Sequence, residues 1–386
     1  MKHSNHSFIR AFGYSLFILG FLFLFTTCKK SESSKDEINE DETEEIVKVN
    51  EIYWNVKAIQ PDGKNLDVKA FDSEGKSFDI KVVQDSDQDI FLDVKAIVGN
   101  KKLPVKMLLN SEQFDPVAVI TNQGNTYNLK AVTEEGEKLD VKGVRRYGNI
   151  VLMRAITKKG DFYGVKAISP TGQLNDLKGI KIARGYTEMR IKGQDIYAHV
   201  KAMHPGTDEG KFKIPKIRKE NKKVKYKTDF KRIIWKVKAV TTDGKNLDVK
   251  AFDPEGNAFD VIGTQDSEQH SFMNIKTIVK GYELPVKILQ STDEYKPINA
   301  IATNGTIYEV KAVTEDNVKL DIKGVSRSGK IINVKAINEN GDFYEVKAFG
   351  PGGKFNYVYG IKIFDREVEM KVQGHPVYAH LKALNQ

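Results

Sequence analysis

The second part of this chain repeats the first part without an insertion or a deletion. The segment DGKNLDVKAFD at 62–72 returns unchanged at 243–253, and GDFYGVKA at 160–167 returns as GDFYEVKA at 341–348. The offset between the copies stays constant from Trp54 to the C-terminus. Because loops normally tolerate insertions, a match without gaps predicts two equivalent domains with tight turns throughout.

A shorter period of about twelve residues runs inside each copy. The triplet VKA, for example at 68–70 and 94–96, alternates with turn-like pairs such as DG at 62–63 and EG at 74–75. Apolar residues occupy every second position around each triplet, which predicts strands with one buried face and one solvated face. Strands and turns at this even spacing are typical of an antiparallel β-meander joined by short hairpins.

The lysine at the centre of each triplet helps to choose between β architectures. In a propeller the inner strands are covered on both faces, so these lysines would be buried without partners at a high cost in free energy. A sandwich or a closed barrel buries only one face of each strand. The sequence therefore predicts an all-β chain of two tandem antiparallel β-meander domains, each a barrel or a sandwich, with a propeller or a solenoid as the alternative.

Changes in composition along the chain set the expected boundaries. We expect a signal peptide at 1–27, an acidic flexible tether at 28–50, a first β domain at 51–204, a basic linker at 205–232 and a second β domain at 233–386.

The N-terminus has the pattern of an export signal. After Lys2 and Arg10, an apolar stretch covers 11–25 and ends in FTTC at 25–28, which fits a signal-peptide core better than a membrane span. This ending resembles the lipobox of bacterial lipoproteins, and the resemblance implies that Cys28 is acylated and becomes the new N-terminus. Cys28 is also the only cysteine in the chain, and lipidation would explain a lone thiol in an exported protein. A plain cleaved signal or an N-terminal anchor helix is the alternative.

Two further features place the chain in the same group of proteins. The acidic residues after Cys28, with KDE at 35–37, resemble surface-export signals of Bacteroidota lipoproteins. The paired VKA-rich repeats resemble uncharacterised lipoproteins of flavobacteria and their relatives. The resemblance implies a lipid-anchored protein of the outer membrane, facing either the periplasm or the exterior, and brings no biochemical activity with it.

The formal charge of +9 comes mainly from lysine, and residues 211–232 form a dense basic run. One interpretation is a solvated linker extended by self-repulsion. The other is a patch that binds lipopolysaccharide phosphates or acidic glycans, in which Lys219, Lys222, Lys223 and Lys225 are the candidate anion-binding residues. A basic chain can also bind nucleic acid, but the export signal argues against that partner.

Local motifs for catalysis or metal binding are weak. Asp85, Asp87 and Asp89 are spaced like the start of a calcium loop, yet Ile90 stands where such a loop needs glycine, so an Asx-type turn is favoured. His199 recurs as His380 in the second copy, but no nucleophile elbow, zinc spacing or glycine-rich phosphate loop accompanies it. We therefore expect no catalytic residue, no metal and no cofactor.

The charged face of the predicted strands allows two interpretations. Aspartates and lysines can pair across neighbouring strands and keep the sheet soluble, or the lysines can form an anion-binding surface. The favoured function is a non-enzymatic binding or scaffold lipoprotein of the outer membrane, with anionic polysaccharide, lipopolysaccharide or an outer-membrane protein as its partner. A glycan hydrolase is the alternative, because strand-borne carboxylates leave no local motif; it would need a cleft with converging carboxylates.

Overall fold

The computed structural model describes residues 51–86, 88–89, 91–182, 185–203, 232–265 and 272–384. These residues form twenty-six β-strands and one short 3-10 turn at Pro351–Gly353. We call the described part of 51–203 domain 1 and that of 232–384 domain 2.

The strands of domain 1 are β1 (Ile52–Ile59), β2 (Asn65–Phe71), β3 (Ser77–Gln84), β4 (Phe91–Val98), β5 (Lys101–Leu108), β6 (Asp115–Ile120), β7 (Thr126–Val132), β8 (Lys138–Tyr147), β9 (Ile150–Ile156), β10 (Phe162–Ile168), β11 (Leu174–Ile180), β12 (Met189–Ile191) and β13 (Gln194–Met203). The strands of domain 2 are β14 (Ile233–Val240), β15 (Asn246–Phe252), β16 (Ala258–Gln265), β17 (Phe272–Val279), β18 (Tyr282–Leu289), β19 (Lys296–Ile301), β20 (Ile307–Val313), β21 (Lys319–Ser328), β22 (Ile331–Ile337), β23 (Phe343–Phe349), β24 (Phe355–Ile361), β25 (Met370–Val372) and β26 (His375–Leu384).

The strands form where the sequence alternates between apolar and polar residues. In β2, Leu66, Val68 and Ala70 are buried, while Asp67 and Lys69 lie on the outer face. This period of two matches the alternation of side chains along a strand. The prediction of half-buried strands is confirmed.

Glycines with positive φ make the short turns between these strands possible. Gly63 has a φ of 86°, and its N–H donates to the carbonyl of Gln60 at 3.0 Å. Gly75 and Gly256 close equivalent turns. A side chain at such a φ is strained, and glycine has none.

The strands of each domain pair as four triangles. Within a triangle every strand pairs with the other two: β1 pairs with β2 over part of its length and with β3 over the rest. In domain 1 the triangles are β1/β2/β3, β4/β5/β13, β6/β7/β8 and β9/β10/β11. In domain 2 they are β14/β15/β16, β17/β18/β26, β19/β20/β21 and β22/β23/β24.

Each pair of triangles within a domain is joined by one longer ladder. In domain 1 these ladders are β1–β10, β2–β7, β3–β4, β5–β6, β8–β9 and β11–β13. The pairing scheme is that of a truncated tetrahedron, in which each of twelve strands has partners on both edges. The all-β fold of two tandem antiparallel domains is confirmed, and each sheet closes on itself.

The VKA triplets lie at the centres of the longer ladders. Lys57 faces Lys166 in β1–β10, and Lys69 faces Lys130 in β2–β7. The flanking valines and alanines point inward, and Ala58 in β1 is fully buried in the core of domain 1. A small residue after the lysine suits this crowded interior, because protein cores are close-packed.

The two domains pack against each other within one compact unit. Phe91 and Met203 of domain 1 share an apolar cluster with Leu289 and Ile363 of domain 2. A second cluster joins Ile182 to residues of β17 and β24. The triangles β4/β5/β13 and β17/β18/β26 face each other at this contact.

Candidate functional site

The contact between the domains buries lysines that are partly exposed elsewhere. In triangle β4/β5/β13 the three central lysines are buried, and we call them triad 1: Lys95, Lys106 and Lys201. The equivalent residues of β17/β18/β26 are also buried and form triad 2: Lys276, Lys287 and Lys382. Burying an ammonium group costs free energy unless other groups compensate its charge.

In the triangle β1/β2/β3, each central lysine meets a polar group on another strand of the triangle. Lys57 pairs with Asp67 and Lys69 with Asp79. Lys81 closes the first triangle by donating to Asn55 Oδ1 at 2.7 Å. In this triangle the partner lies two residues before the central lysine of its strand.

The triads depart from this rule in both domains. In triad 1, Lys201 pairs with Asp93, but Pro104 lies opposite Lys95 and His199 lies opposite Lys106. In triad 2 the corresponding positions hold Asn274, Pro285 and His380. The carboxylates of the same triangle that pair with the triads are Asp93, which contacts Lys201 and Lys95 in triad 1, and Glu283, which contacts Lys276 in triad 2.

The loop between β3 and β4 of domain 1 supplies a second carboxylate, Asp85, to triad 2. Lys276 Nζ lies 2.7 Å from Asp85 Oδ2 and 2.9 Å from Glu283 Oε2. Arg232 contacts the same two carboxylates at 3.0 and 2.6 Å. Lys287 donates to the carbonyl of Gln88 at 3.3 Å. Residues of both domains therefore form one charged network.

Electrostatics reinforces this network. Burial alone would raise the pKa of Asp85, but Lys276 and Arg232 outweigh it and lower that pKa to about 2. Burial would lower the pKa of Lys276, but Asp85 and Glu283 raise it above its ordinary value. Both partners of this buried ion pair are held in their charged forms.

Asp89 behaves in the opposite way. Burial raises the pKa of this carboxyl to about 6, and Asp85 adds to the rise, although Lys276 opposes it. Hydrogen bonding between the two side chains also helps to lower the pKa of Asp85. The two carboxyl groups can therefore share one proton beside Lys276.

Asp85, Asp87 and Asp89 are the three aspartates whose spacing resembles the start of a calcium loop. Asp87 lies outside the described residues. Asp85 is engaged by Lys276 and Arg232. Among the described residues no cluster of His, Cys, Asp and Glu could hold a metal ion.

The recurring histidines are buried at the same contact. His199 Nδ1 lies 2.8 Å from Lys106 Nζ, and its ring meets Phe272 of domain 2 edge-on at 5.4 Å. His380 meets Phe91 of domain 1 in the same manner at 6.3 Å. Burial, followed by nearby lysines, lowers the pKa of His380 well below its ordinary value. A neutral imidazole that packs on the partner domain can accept a hydrogen bond, but it is shielded from solvent.

The space left beside triad 1 is small. It is lined by Asp93, Lys106, His199, Lys201 and Phe272, among others, and has room for about one water molecule. The contact therefore buries charge and holds the domains together, and the space beside triad 1 is too small for a polymer.

The outer surface carries the remaining charge as cross-strand pairs. The pairs are Lys57–Asp67, Lys69–Asp79, Lys130–Asp140, Lys166–Asp176, Lys238–Asp248, Lys250–Asp260, Lys311–Asp321 and Lys335–Glu345. Such pairs contribute about 0.2–1 kcal/mol each. The pairing of opposite charges across strands that the sequence predicts is present. The carboxylates of these pairs neutralise most of the charge of the lysine rows.

The residues singled out from the sequence lie elsewhere. Cys28, Lys219, Lys222, Lys223 and Lys225 are outside the described residues.

The triads themselves were not identified from the sequence, because their VKA-like triplets look like all the others. His199, which lies opposite Lys106 as Asp67 lies opposite Lys57, is the signal that could have revealed triad 1.

The described residues include no helix long and apolar enough to cross a membrane.

Comparison with known proteins gives one match. No curated protein and no solved structure matches the chain. One family model matches twice, at residues 50–203 and 231–384, which together cover most of the chain. The chain therefore belongs to a family of unknown function, DUF7486, and carries two copies of the family's domain in tandem.

Proposed function

We propose that this protein is a non-enzymatic binding or scaffold lipoprotein of the outer membrane, whose ligands are anionic glycans or lipopolysaccharide. The observation that carries the proposal is the distribution of charge. The described outer face shows regular lysine–carboxylate pairs, and the buried charges join the two domains. This arrangement supports a fixed two-domain platform better than a catalytic centre.

The hydrolase alternative lacks such support. Glycoside hydrolysis needs two carboxylates that face a substrate, about 5–9.5 Å apart. Asp85 and Asp89 are half-buried at the contact between the domains, where Lys276 and Arg232 engage Asp85. These ion pairs support a structural role for Asp85 better than a catalytic one.

Attachment to the membrane is tested at Cys28. Metabolic labelling with palmitate should mark the wild-type protein, and the Cys28→Ser variant should stay unlabelled and leave the membrane fraction. The physical reason is that several buried acyl chains contribute about 0.8 kcal/mol per methylene. A labelled variant or an unlabelled wild type would contradict the anchor.

Binding of polyanions is tested at the linker. The full chain should bind vesicles that contain lipopolysaccharide, and affinity should fall as salt rises, because exposed charges are screened beyond about 8 Å at physiological ionic strength. Replacing Lys219, Lys222, Lys223 and Lys225 with glutamine should weaken binding. A matched control replaces Lys57 and Lys238, which already pair with aspartates. Weak wild-type binding that is indifferent to both sets of changes would refute the polyanion part of the proposal and leave the scaffold.

A further inference from the structure

The outer face of β24 carries a row of aromatic rings in domain 2. Phe355, Tyr357 and Tyr359 occupy alternate positions on this face. Phe355 contacts Phe349 of β23 at 5.8 Å and Tyr357 at 5.6 Å between ring centroids. Tyr357 stacks on Tyr359 at 6.2 Å. We call these four residues the aromatic strip.

One cation lies over the strip. Lys347 Nζ is 4.3 Å from the ring centroid of Phe355 and 4.9 Å from that of Tyr357. In the ladder β23–β24, Lys347 faces Tyr357. In the described part of the chain, no carboxylate lies within ion-pair distance of Lys347. The ammonium group therefore keeps its charge available to a ligand.

Domain 1 shows what the fold requires at these positions. The residues equivalent to the strip are Ile168, Leu174, Asp176 and Lys178, and the residue equivalent to Lys347 is Lys166. Lys166 pairs with Asp176 there, as in the regular pattern of the surface.

The fold therefore does not require aromatic residues at these positions. The two domains have the same strand pairing. Domain 2 nevertheless carries four aromatic rings where domain 1 has two aliphatic side chains and the charged pair Asp176 and Lys178. Phe355 is 44% exposed. Contiguous apolar groups that remain exposed on a folded surface indicate an interaction site.

The chemistry of the strip fits sugar rings. Aromatic faces pack against the apolar C–H faces of pyranoses, and tyrosine hydroxyls can hydrogen-bond sugar hydroxyls at the same time. The rings repeat along one strand, so consecutive sugars of an extended chain can each meet a ring. A carboxylate on such a sugar would reach the ammonium group of Lys347, which holds no carboxylate of its own.

A single-stranded nucleic acid would also stack on aromatic rings. Sites for nucleic acid, however, combine stacking with a groove of positive charge that follows the phosphates. Among the residues that the structure describes, one cation contacts the rings of the strip, Lys347. A polymer with carboxylates on its sugars matches this charge better.

We propose that the aromatic strip and Lys347 bind an acidic polysaccharide whose sugar rings lie along β24. This site rests on the proposed function, to which it adds a location and a ligand class. Tyr359 lies beside an apolar cluster that joins the two domains, so the bound polymer would extend from the free end of β24 at Phe355 towards domain 1.

The test uses the full chain and polygalacturonate as the probe, with binding followed by calorimetry. Phe355→Leu combined with Tyr357→Asp installs the residues of domain 1, which the same fold accommodates there. This double variant should bind about tenfold more weakly or worse, because two stacking rings are lost and Lys347 gains a carboxylate partner, as Lys166 has in domain 1. Circular dichroism and the unfolding midpoint should match those of the wild type.

Two further variants give the matched controls. Lys347→Gln should weaken binding of polygalacturonate and reduce its salt dependence, and should leave binding of a neutral glucan unchanged. The reciprocal change in domain 1, Leu174→Phe with Asp176→Tyr, should raise the amount of polygalacturonate bound per chain.

The outcomes separate this site from the proposed function. If the wild type binds polygalacturonate and the Phe355/Tyr357 variant binds it equally well, the strip is not the site, while the proposed function stands. If the wild type binds neither polygalacturonate nor lipopolysaccharide, both this site and the polyanion-binding part of the proposed function are refuted. Tighter binding of oligothymidylate, lost in the same variant, would overturn the polysaccharide in favour of nucleic acid.

Discussion

A single position in each strand decides how the lysine of the neighbouring strand is compensated. Where this position holds aspartate, as at Asp67, the lysine is paired locally and stays at the surface. Where it holds proline or histidine at the contact between the domains, as at Pro285 and His380, the other domain supplies a further partner. For Lys276 of triad 2 this partner is Asp85. Small changes of residue type therefore convert a solvated face into an interface.

Asp85→Asn tests the value of that partner. The variant should lose about 3 kcal/mol of unfolding free energy, because Lys276 would remain buried without the ion pair that it makes with Asp85, and Arg232 would lose the same partner. Chemical denaturation with urea measures the change. Asp67→Asn, which removes the exposed partner of Lys57, is the control and should cost less than about 1 kcal/mol. Equal losses in the two variants would show that the interface pair is no stronger than a surface pair.

Asp89 should make stability depend on pH. Its folded-state pKa of about 6 lies above the ordinary value of 3.8, so its contribution to stability is complete below about pH 4 and is lost as the pH rises through 6. Asp89→Asn removes this loss. The unfolding free energy of the variant relative to the wild type should therefore increase by about 2–3 kcal/mol between pH 4 and 7.

The contribution of Asp85 to stability depends on pH in the opposite direction. Its folded-state pKa is about 2, so its stabilising contribution is lost only in strong acid. Urea denaturation of the wild type, Asp89→Asn and the surface control Asp67→Asn across this range measures the difference. A constant gap between Asp89→Asn and the wild type would refute the assignment.

At the scale of the strand and turn, the domains repeat one hairpin design. Gly136 has a φ of 82° and donates its N–H to Thr133 at 3.0 Å. Its counterpart in domain 2 is Asn317, with a φ of 61° and the same bond to Thr314. Asparagine is one of the few residues with a side chain that tolerate this conformation.

This substitution within the chain provides its own experiment. Gly136→Asn should change the unfolding free energy by only a few tenths of a kcal/mol, whereas Gly136→Val should cost about 1–2 kcal/mol or more, because a β-branched side chain is strained at positive φ. Thermal unfolding of the two variants measures the difference. Equal midpoints would mean that the turn adjusts its backbone, and the argument from φ would fail.

The strands and turns could be predicted from the sequence because their signals are local. Alternation around Val68 and the glycine at position 63 each act within a few residues. Closure of the sheet could not be predicted, because the ladder β1–β10 joins segments that look like all the others. The partners of Lys276 and Lys287 were missed for the same reason: pairing across domains leaves no spacing that a single sequence reveals.

At the scale of the whole molecule, the two domains behave as one unit. The sequence suggests two units on a basic linker, and it shows no sign of a contact between them. The structure adds buried ion pairs and apolar clusters that span both domains. Buried charged groups separated from their partners destabilise a fold strongly, so each domain depends on the other.

We therefore expect the full chain to unfold in one cooperative transition. Domain 2 alone, residues 232–384, should unfold at a lower temperature, because triad 2 loses Asp85 and Gln88. Calorimetry of the full chain and of the single domain makes the comparison, and Asp85→Asn in the full chain should move its midpoint towards that of the isolated domain. Two separate transitions in the full chain would contradict the dependence of one domain on the other.

The triangular pairing has a mechanical consequence. A strand at the edge of an open sheet can be peeled away under tension, one hydrogen bond after another. β1, the first strand after the N-terminal segment, is held by β2 and β3 on one edge and by β10 on the other. A pull on the N-terminal end is therefore shared among three ladders at once, and each domain should resist extension until its whole shell gives way in a single step.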